Sequence, residues 1–514
     1  MHLSLLEKLA LYLTVFVTGA SVMVIELLGT RLIAPFYGVS LYVWSSLISV
    51  TLIALALGYY LGGFWADRAR TVGLSLLIAL AALATLLIPW LTRPVLLATD
   101  PLGLRLGSFV SALLLFLPSL TLLAMVGPFA IKSITFRLEQ VGNSVGSIYA
   151  VSTVGSVIGT LVLGFYLFPL VGSREILIGL ALALLLLAAA VAVHEARRLG
   201  ALRAALPCLI VAAVGSALSP YVADAGRLRD GGGKFRILSE HESLYGWVRV
   251  IEQPGRDLRL LTSDASVIGA ASIQRGDSQL SYQDIVELMP ALRPGMKRAL
   301  IVGLGAGHMA KTLHDRYGIV TDTLEIDPAV AQAASEFFGF QPTGDVILGD
   351  ARYQIRRLQG PYDLIIHDCF TGGSEPAHLL TAETLQQLSA LLSPRGILAV
   401  NLVAYAQGPE SAVLGSVAKT LQQVLPHTST FISEPGKDFT DFIFLASSQP
   451  VSLATEGLTG EQQDWLNRRL FAVATDEAIV LTDNLNPIER LQTAKAERYR
   501  QFMVEMFGGE LFVR

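Results

Sequence analysis

Three glycines in one short turn are the first part of this sequence that could bind a ligand. They are Gly303, Gly305 and Gly307, and they separate an apolar run from a helix-like segment. A glycine turn after a strand lets the backbone pass close to a bound molecule. A dinucleotide site would have glycine in place of His308, whereas Gly-x-Gly-x-Gly suits adenosylmethionine-type nucleosides, which have no pyrophosphate. The turn therefore predicts a nucleoside site.

Three acidic residues end successive strand-like runs after that turn. Glu325 is placed to accept hydrogen bonds from both ribose hydroxyls, and Asp350 could accept from the adenine amino group. Asp368 would then face the reacting end of the ligand. The alternative is that these acids only cap the helices that follow them.

The elements that must position these residues follow an alternating pattern from about residue 296. Apolar strand-like runs alternate with helix-like segments, and the runs are ALIVGLG, TDTLEID, VILGD, YDLIIHD and GILAVNL. Such alternation predicts a parallel sheet covered by helices on both faces, an α/β Rossmann-like domain over 296–514. Ligands of such sheets bind at the carboxyl ends of the strands.

The segment before this domain has a different pattern. Residues from about 235 to 275 alternate apolar and polar side chains, which predicts antiparallel strands and hairpins, and we assign 235–295 to a small β subdomain for substrate or dimer contacts. A polar, glycine-rich stretch at 223–234 is predicted to be a linker.

The first 222 residues have the composition of a membrane domain. The whole chain is 52% hydrophobic and only 16% charged, too apolar for two soluble domains. Stretches of roughly 20 apolar residues can each cross a bilayer as a helix. We predict seven, at about 9–28, 41–64, 71–91, 108–130, 143–168, 174–193 and 204–222. Glycines recur at helix-packing spacing, as in Gly142 with Gly146 and Gly155 with Gly159.

Charge and cysteine content exclude other classes. A net charge of −4 gives no basic field for nucleic acid, and two cysteines suggest neither a zinc site nor a disulfide framework. Basic residues divide equally between the two sides of a seven-span bundle, so the positive-inside rule does not orient it. Because the nucleoside is made in the cytosol, we expect a multi-pass protein of the cell (inner) membrane with a cytoplasmic catalytic domain.

Several further motifs carry a family resemblance. Residues from about 235 to 500 resemble spermidine synthase, the aminopropyltransferase that uses decarboxylated S-adenosylmethionine, and the whole chain resembles its bacterial membrane-fused relatives. The matching pieces are the glycine turn, 242-ESLYGWVRV-250, 282-YQDIVELMP-290, 324-LEID-327, 349-GDAR-352 and 363-DLIIHD-368. The resemblance implies that Glu325 holds the ribose and that Asp350 and Ala351 hold the adenine. By the same analogy it implies a homodimer.

At the positions that would contact the amine substrate, this sequence differs from that family. The resemblance implies substrate contacts at Tyr245, Tyr282, Asp284 and Thr371, but Gly246 stands where the family has glutamine, and Gln283 and Asp284 replace a His-Glu pair. Ala306 replaces the aspartate of the glycine turn. The family's Asp-Ser-Ser-Asp, whose last acid removes the proton from the amine, aligns with Asp368, Cys369, Phe370 and Thr371.

A histidine offers another proton acceptor. In 368-DCFTGGSEPAHLLT-381, which resembles divergent family members, His378 is a candidate base beside the catalytic Asp368, since a near-neutral pKa suits proton removal. The other interpretation is that His378 caps or packs the next helix. Asp483 lies in a tail, 481-LTDNLNPIE-489, that could fold over the site. It is a second-choice acid or a turn former.

Three function classes stay open. The first is aminopropyl transfer to a polyamine or related amine by a membrane-bound enzyme that needs no metal, because a sulfonium is already an activated leaving group. The second is methyl or other alkyl transfer from S-adenosylmethionine to another, membrane-associated acceptor. The third is a polyamine transporter or sensor with a regulatory nucleoside domain. We favour the first, since the resemblance covers both halves of the chain.

Overall fold

Two compact units make up the chain. The computed structural model describes residues 4–38, 40–68, 73–135, 141–198, 205–224, 234–370 and 372–513. One unit is Met1–Leu228 with Phe507–Arg514, and the other is Arg229–Met506. The finer division of the second unit at about residue 295 stays a prediction.

The first unit is helical. Its helices are α1 (Leu5–Tyr37), α2 (Leu41–Arg68), α3 (Leu74–Thr99), α4 (Gly103–Ala124), α5 (Val126–Ile134), α6 (Val141–Val162), α7 (Ser173–Arg198) and α8 (Leu206–Asp224). Among the described residues, six helical stretches are long and apolar enough to cross a membrane: Leu5–Tyr37, Leu41–Arg68, Leu74–Ile134, Val141–Leu167, Ser173–Arg197 and Leu206–Ala223.

The expected number of seven spans is therefore not confirmed. The predicted third and fourth spans both fall in the single stretch Leu74–Ile134, because only a three-residue turn, Asp100–Leu102, separates α3 from α4. Hydroxyl pairs join these two helices side by side. Thr85 Oγ1 lies 2.6 Å from Ser119 Oγ, and Thr99 Oγ1 lies 2.6 Å from Ser111 Oγ. The pairing shows that α3 and α4 run antiparallel, and the number of membrane crossings stays a prediction.

Small residues bring α1 and α6 into close contact. A Cβ on Gly155 would lie 2.2 Å from the carbonyl oxygen of Phe16, and one on Gly159 would lie 2.9 Å from the Ala20 side chain. Gly142 and Gly146 share the same spacing but have open space around them. The expected packing role therefore holds for the second glycine pair and not for the first.

The second unit contains two sheets. An antiparallel sheet has the order β1-β2-β3-β4, with β1 (Arg236–Glu242), β2 (Trp247–Gln253), β3 (Leu258–Ser263) and β4 (Ser266–Ser272). A seven-stranded sheet has the order β10-β11-β9-β8-β5-β6-β7. Its strands are β5 (Arg298–Val302), β6 (Val320–Glu325), β7 (Val346–Leu348), β8 (Tyr362–His367), β9 (Leu392–Tyr405), β10 (His427–Ile432) and β11 (Phe439–Ser447).

The larger sheet is mixed, which corrects the expected parallel sheet. Strands β9, β8, β5, β6 and β7 are parallel, but β11 pairs antiparallel with β9, and β10 pairs antiparallel with β11. The buried residues of β5 are all apolar, and so are Leu364–Ile366 in the middle of β8, as is typical of strands covered on both faces. The fold is Rossmann-like, with the glycine turn after β5.

Helices cover both faces of this sheet. They are α9 (Ser281–Glu287), α10 (Met289–Leu292), α11 (His308–Tyr317), α12 (Pro328–Phe337), α13 (Ala351–Ile355), α14 (Ala382–Ala390), α15 (Ala412–Val424), α16 (Gly460–Asn467), α17 (Ile488–Leu491) and α18 (Thr493–Phe507). One apolar cluster includes Leu385 and Leu414 against Leu398, and another includes Ile285 and Leu313 against Ile301. The two clusters fix the strand ends, where the acidic residues lie.

Replacing Gly155 by alanine tests the contact between α1 and α6. Alanine is normally favoured over glycine in a helix by about 1 kcal/mol, but here its methyl group would strike the Phe16 carbonyl. We expect Gly155→Ala to lower the thermal midpoint in detergent, since overpacking costs about 1–3 kcal/mol. Gly146→Ala, where the space is open, should not lower it. Equal midpoints for the two variants would contradict this packing.

Candidate active site

The glycine turn lies against two neighbouring backbones. Gly303 has φ of 95°, a conformation that side chains disfavour, and a Cβ there would lie 2.2 Å from the carbonyl oxygen of Asp368. A Cβ on Gly305 would lie 2.5 Å from the Ile268 carbonyl oxygen, and one on Gly307 would lie 2.7 Å from the Phe340 ring. The turn therefore packs closely between the end of β8 and strand β4.

Glu325, the last residue of β6, connects its strand to that turn. Its Oε2 accepts from the Leu304 backbone N–H at 3.0 Å, and its Oε1 accepts from the Asp327 N–H at 3.0 Å. Burial raises the pKa of this carboxyl, whereas both backbone donors lower it. The side chain is thus fixed with its carboxylate beside the glycine turn, where a ribose would have to lie if the turn holds a nucleoside.

Asp350 begins helix α13 and meets His378. Its Oδ1 accepts from the Tyr353 N–H at 3.0 Å, so the helix-capping interpretation holds for this residue. Its Oδ2 lies 3.7 Å from His378 Nε2, and both side chains are about half exposed. Ala351 is buried in the first turn of α13. One Asp350 oxygen therefore stays within reach of a ligand.

Asp368 follows β8 and is held by two neutral donors. Tyr282 OH donates to Oδ2 at 2.7 Å, and Asn401 Nδ2 donates to Oδ1 at 2.9 Å. Burial raises the pKa of the Asp368 carboxyl, while both donors act against that rise. Gln283 Nε2 donates in turn to Tyr282 OH at 3.3 Å. A partly buried carboxylate, whose hydrogen-bond partners among the described residues are neutral, suits a positively charged ligand.

A second acid lies beyond Asn401. Asp441 on β11 has its Oδ1 at 3.5 Å from Asn401 Nδ2, so one amide nitrogen lies between two carboxyl groups. Burial and the charge of Asp368 raise the pKa of Asp441 to about 7. Adjacent strands set this spacing, because Asn401 on β9 pairs with Ile443 and Val403 pairs with Asp441.

A buried ion pair borders the same cluster. Lys495 Nζ on α18 contacts Glu375 Oε2, and both side chains are almost completely buried. Glu375 Oε1 also accepts from the Val403 N–H at 3.0 Å. Burial raises the pKa of Glu375 and lowers that of Lys495, and the attraction between the two charges acts against both shifts. Asp441 also attracts the Lys495 charge, so two acids act on one buried cation.

The pKa of the Cys369 thiol reflects the acidic side chains around it. Burial raises the pKa of this thiol well above its usual value, and four negative charges raise it further. These charges belong to Glu325, Asp368, Asp350 and Glu375. The thiol therefore lies in an acidic environment to which all four carboxyl groups contribute.

Four other residues that were predicted to contact the substrate have different surroundings. Asp284 is exposed on α9 and has Arg469 and Arg316 as charged neighbours, so it points away from Tyr282 two positions earlier. Tyr245 is also exposed, in the β1–β2 turn, where Ser243 Oγ donates to Asp327. Asp483 forms an ion pair with Arg352. Thr371 lies outside the described residues.

His378 lies beside Asp350, the residue that is predicted to contact the adenine. Its ring faces Asp350, and its carbonyl oxygen accepts from Arg352 and from Thr384 Oγ1. The hydrogen-bond partners of Asp368 are Tyr282 and Asn401 instead. The packing interpretation of His378 therefore has direct support, and its role as a base stays a prediction.

Sequence reasoning missed five residues of this cluster: Cys369, Glu375, Asn401, Asp441 and Lys495. The first two stand in the motif that was analysed, but nothing in their spacing indicated burial. A lone acid in the apolar run 440-TDFIFLA-446 and a lone asparagine in 397-ILAVNLVA-404 were available signals, since a polar side chain within a buried strand needs a partner. Lys495 had no such signal.

Comparisons with known proteins give relatives of two kinds. No family model matches the chain. It is 36% identical over 179 residues to a polyamine aminopropyltransferase of Vibrio vulnificus, covering 33% of this chain and 60% of that protein. It is 28% identical over 258 residues to an N-terminal histidine N-methyltransferase of Emericella nidulans, covering 45% of this chain and 44% of that protein. The chain thus spans less than two thirds of either relative.

One solved structure is also similar to this chain. It is a probable spermidine synthase from Corynebacterium glutamicum, with a TM-score of 0.41 and 18% identity, and it covers 48% of this chain and 97% of that chain. The relatives named as aminopropyltransferases support a spermidine synthase-like domain in this chain. Other relatives are named as methyltransferases.

Replacing Glu325 by glutamine tests the nucleoside side. The amide would keep the shape but would put an N–H group where a backbone donor and a ribose hydroxyl need an acceptor. We expect the affinity for decarboxylated S-adenosylmethionine or methylthioadenosine, measured by calorimetry, to fall at least tenfold. Glu336→Gln on the exposed face of α12 is the matched control and should bind normally. Unchanged affinity in Glu325→Gln would remove this residue from the site.

The pH dependence of stability tests the environment of Asp441. Because its pKa rises from 3.8 to about 7 on folding, the protonated form stabilises the fold. That contribution is complete below about pH 4 and is lost as the pH rises through about 7. Asp441→Asn mimics the protonated form, so its thermal midpoint should fall less than that of the wild type between pH 5 and pH 8. The exposed Asp438→Asn should behave as wild type, and identical pH profiles for all three proteins would contradict the burial of this charge.

Proposed function

We propose that the second unit transfers an aminopropyl group from decarboxylated S-adenosylmethionine to an amine, within polyamine or related amine metabolism. The helical unit would anchor the enzyme in the lipid bilayer of the cell (inner) membrane by several spans. The catalytic unit would face the cytoplasm, where the nucleoside is made, and could pair as a homodimer. Neither a metal nor nucleic acid takes part in this proposal.

An acidic cluster is the observation that carries the proposal. Glu375 is buried, Asp368 and Asp441 are partly buried, and Lys495 supplies one positive charge beside Glu375. In a buried site, charges interact more strongly than in water, so a cationic amine and a sulfonium would both be attracted. The methionine carboxylate of S-adenosylmethionine would add a further negative charge. The cluster therefore favours the decarboxylated nucleoside as donor.

Residues of the nucleoside side have separate roles in this proposal. Glu325 would accept from the ribose hydroxyls beside Gly303, Gly305 and Gly307. Asp350 would accept from the adenine amino group with the oxygen that does not cap α13, and Ala351 would lie against the ring. These groups bind and orient the donor, so that its sulfonium carbon faces Asp368.

The transfer needs one proton acceptor and no leaving-group acid. An ammonium acceptor first gives one proton to the carboxylate of Asp368 or Asp441. The freed nitrogen lone pair attacks the carbon beside sulfur, and the carbon–sulfur bond breaks with both electrons going to sulfur. Methylthioadenosine leaves as a neutral thioether, and the positive charge passes to the new secondary ammonium.

Asp368 and Asp441 suit that proton step. Asp441 has a pKa of about 7, close to the value at which a base works best near neutral pH. Because Asn401 bridges the two carboxyl groups, the proton belongs to the pair rather than to either residue. Tyr282 keeps the Asp368 carboxylate oriented toward the acceptor.

Methyl transfer to an amine is the second candidate. The likeness to an N-terminal histidine N-methyltransferase favours it. A position in the glycine turn favours it as well. Ala306 stands where the aminopropyltransferase resemblance calls for aspartate, and its side chain is buried in an apolar cluster with Val250 and Leu261. In that reaction S-adenosylmethionine is the donor and adenosylhomocysteine the product.

Identification of the spent nucleoside tests the proposal. Purified full-length protein is incubated with each nucleoside and a panel of amines, and the products are identified by mass spectrometry. We expect methylthioadenosine, formed from the decarboxylated nucleoside only when an amine is present. Adenosylhomocysteine formed in step with a methylated amine would establish the second candidate instead. Absence of turnover with both nucleosides and every amine would overturn the enzymatic assignment.

A further inference from the structure

No step of the proposed transfer uses the buried side chain of Lys495. Lys495 on α18 is completely buried, and its Nζ contacts Glu375 Oε2. The same nitrogen lies 5.6 Å from the centre of the Phe370 ring. Taking an ammonium out of water costs several kcal/mol unless its surroundings compensate the charge. The groups around Lys495 must therefore form an effective ammonium site.

That site contains two acids and an aromatic face. Glu375 is the direct partner, and Asp441 attracts the Lys495 charge as a second acid. A carboxylate pair with an aromatic ring is a typical environment for binding a cationic amine. Asp441 also faces Asp368 through Asn401, so the Lys495 ammonium adjoins the cluster where the acceptor would react.

The lysine is held in this position by its helix. Tyr499, one turn further along α18, stacks edge-on against Phe370 with ring centres 4.8 Å apart. Its OH accepts from the Val267 N–H at 3.2 Å. Gly373 packs closely on Ala496, and Gln492 Oε1 accepts from the Glu375 N–H at 2.9 Å. Helix α18 is thus fixed on both sides of Lys495.

Two hydrogen-bond acceptor atoms without a described partner belong to side chains nearer Asp368. Asn401 Oδ1 and Gln283 Oε1 are buried and have no hydrogen-bond partner among the residues that the structure describes. Both belong to side chains that hold the Asp368–Tyr282 pair. The Glu375 carboxylate, in contrast, is already occupied by Lys495.

We propose that Lys495 takes the place that the far ammonium of a diamine would occupy, so that the acceptor presents a single amino nitrogen. The inference rests on the proposed aminopropyl transfer and names its substrate class, which is monoamines. The rest of such an acceptor is uncharged. The altered amine contacts at Gly246, Gln283 and Ala306 agree with an acceptor other than a diamine.

Two acceptors of equal length test the inference. They are butylamine and 1,4-diaminobutane, which differ in one terminal amino group. We expect the wild type to have the higher kcat/KM with butylamine. In Lys495→Ala the vacated site can hold the second ammonium, so the diamine-to-monoamine ratio of kcat/KM should rise at least tenfold. The exposed Lys437→Ala is the matched control and should keep the wild-type ratio.

A binding measurement gives a readout that needs no turnover. Lys495→Ala removes three methylene groups and the ammonium, a volume that propylammonium fits. Millimolar propylammonium should raise the thermal midpoint of this variant and not that of the wild type, and uncharged propanol should raise neither. If Lys495→Ala folds only when propylammonium is present, the ammonium site is supported as well.

The failures of the two proposals are distinguishable. Wild-type protein that forms methylthioadenosine faster with the diamine than with butylamine would overturn the role of Lys495 and leave aminopropyl transfer standing. A folded Lys495→Ala with an unchanged acceptor ratio and no response to propylammonium would do the same. Absence of methylthioadenosine with every amine would remove the proposed function, while the propylammonium shift would still test the ammonium site.

Discussion

Burial of carboxyl groups at the carboxyl ends of parallel strands is the constraint on which the rest of the site depends. Asp368 is partly buried between Tyr282 and Asn401, and neither partner carries a charge. A carboxylate in such a place is costly unless a cation approaches it. The fold can keep it there because both faces of the sheet are sealed by apolar clusters. The cost of this partly buried charge is the reason why we propose a cationic ligand for the site.

The same electrostatics explain why distant segments meet at these strand ends. Arg352 in the first turn of α13 forms an ion pair with Asp483 of the C-terminal tail, and Lys495 joins α18 to Glu375. Removing one partner of a buried pair is strongly destabilising because it leaves an uncompensated charge. The C-terminal helix is therefore held against the site by charge as well as by the packing of Tyr499 on Phe370.

The meeting of Glu325 with the glycine turn could be predicted from the sequence because its geometry is local. A glycine turn after one strand and an acid ending the next must meet at one edge of a parallel sheet, and Glu325 indeed reaches the Leu304 backbone. The amine side could not be predicted in this way. Asn401 and Asp441 come together only because β11 joins β9 antiparallel, a pairing that the alternating pattern did not indicate. Lys495 reaches Glu375 across 120 positions of sequence. His378 was singled out by its type, but its ring faces Asp350.

The most direct measurement is the rate of a single turnover in Asp368→Asn. The amide keeps the size of the side chain but removes the charge and the proton acceptor, and general-base catalysis alone contributes about 100-fold or more. We predict at least a 100-fold slower transfer step with nearly unchanged nucleoside affinity, while the exposed Asp315→Asn reacts at the wild-type rate. A transfer step of wild-type speed in folded Asp368→Asn would contradict the account.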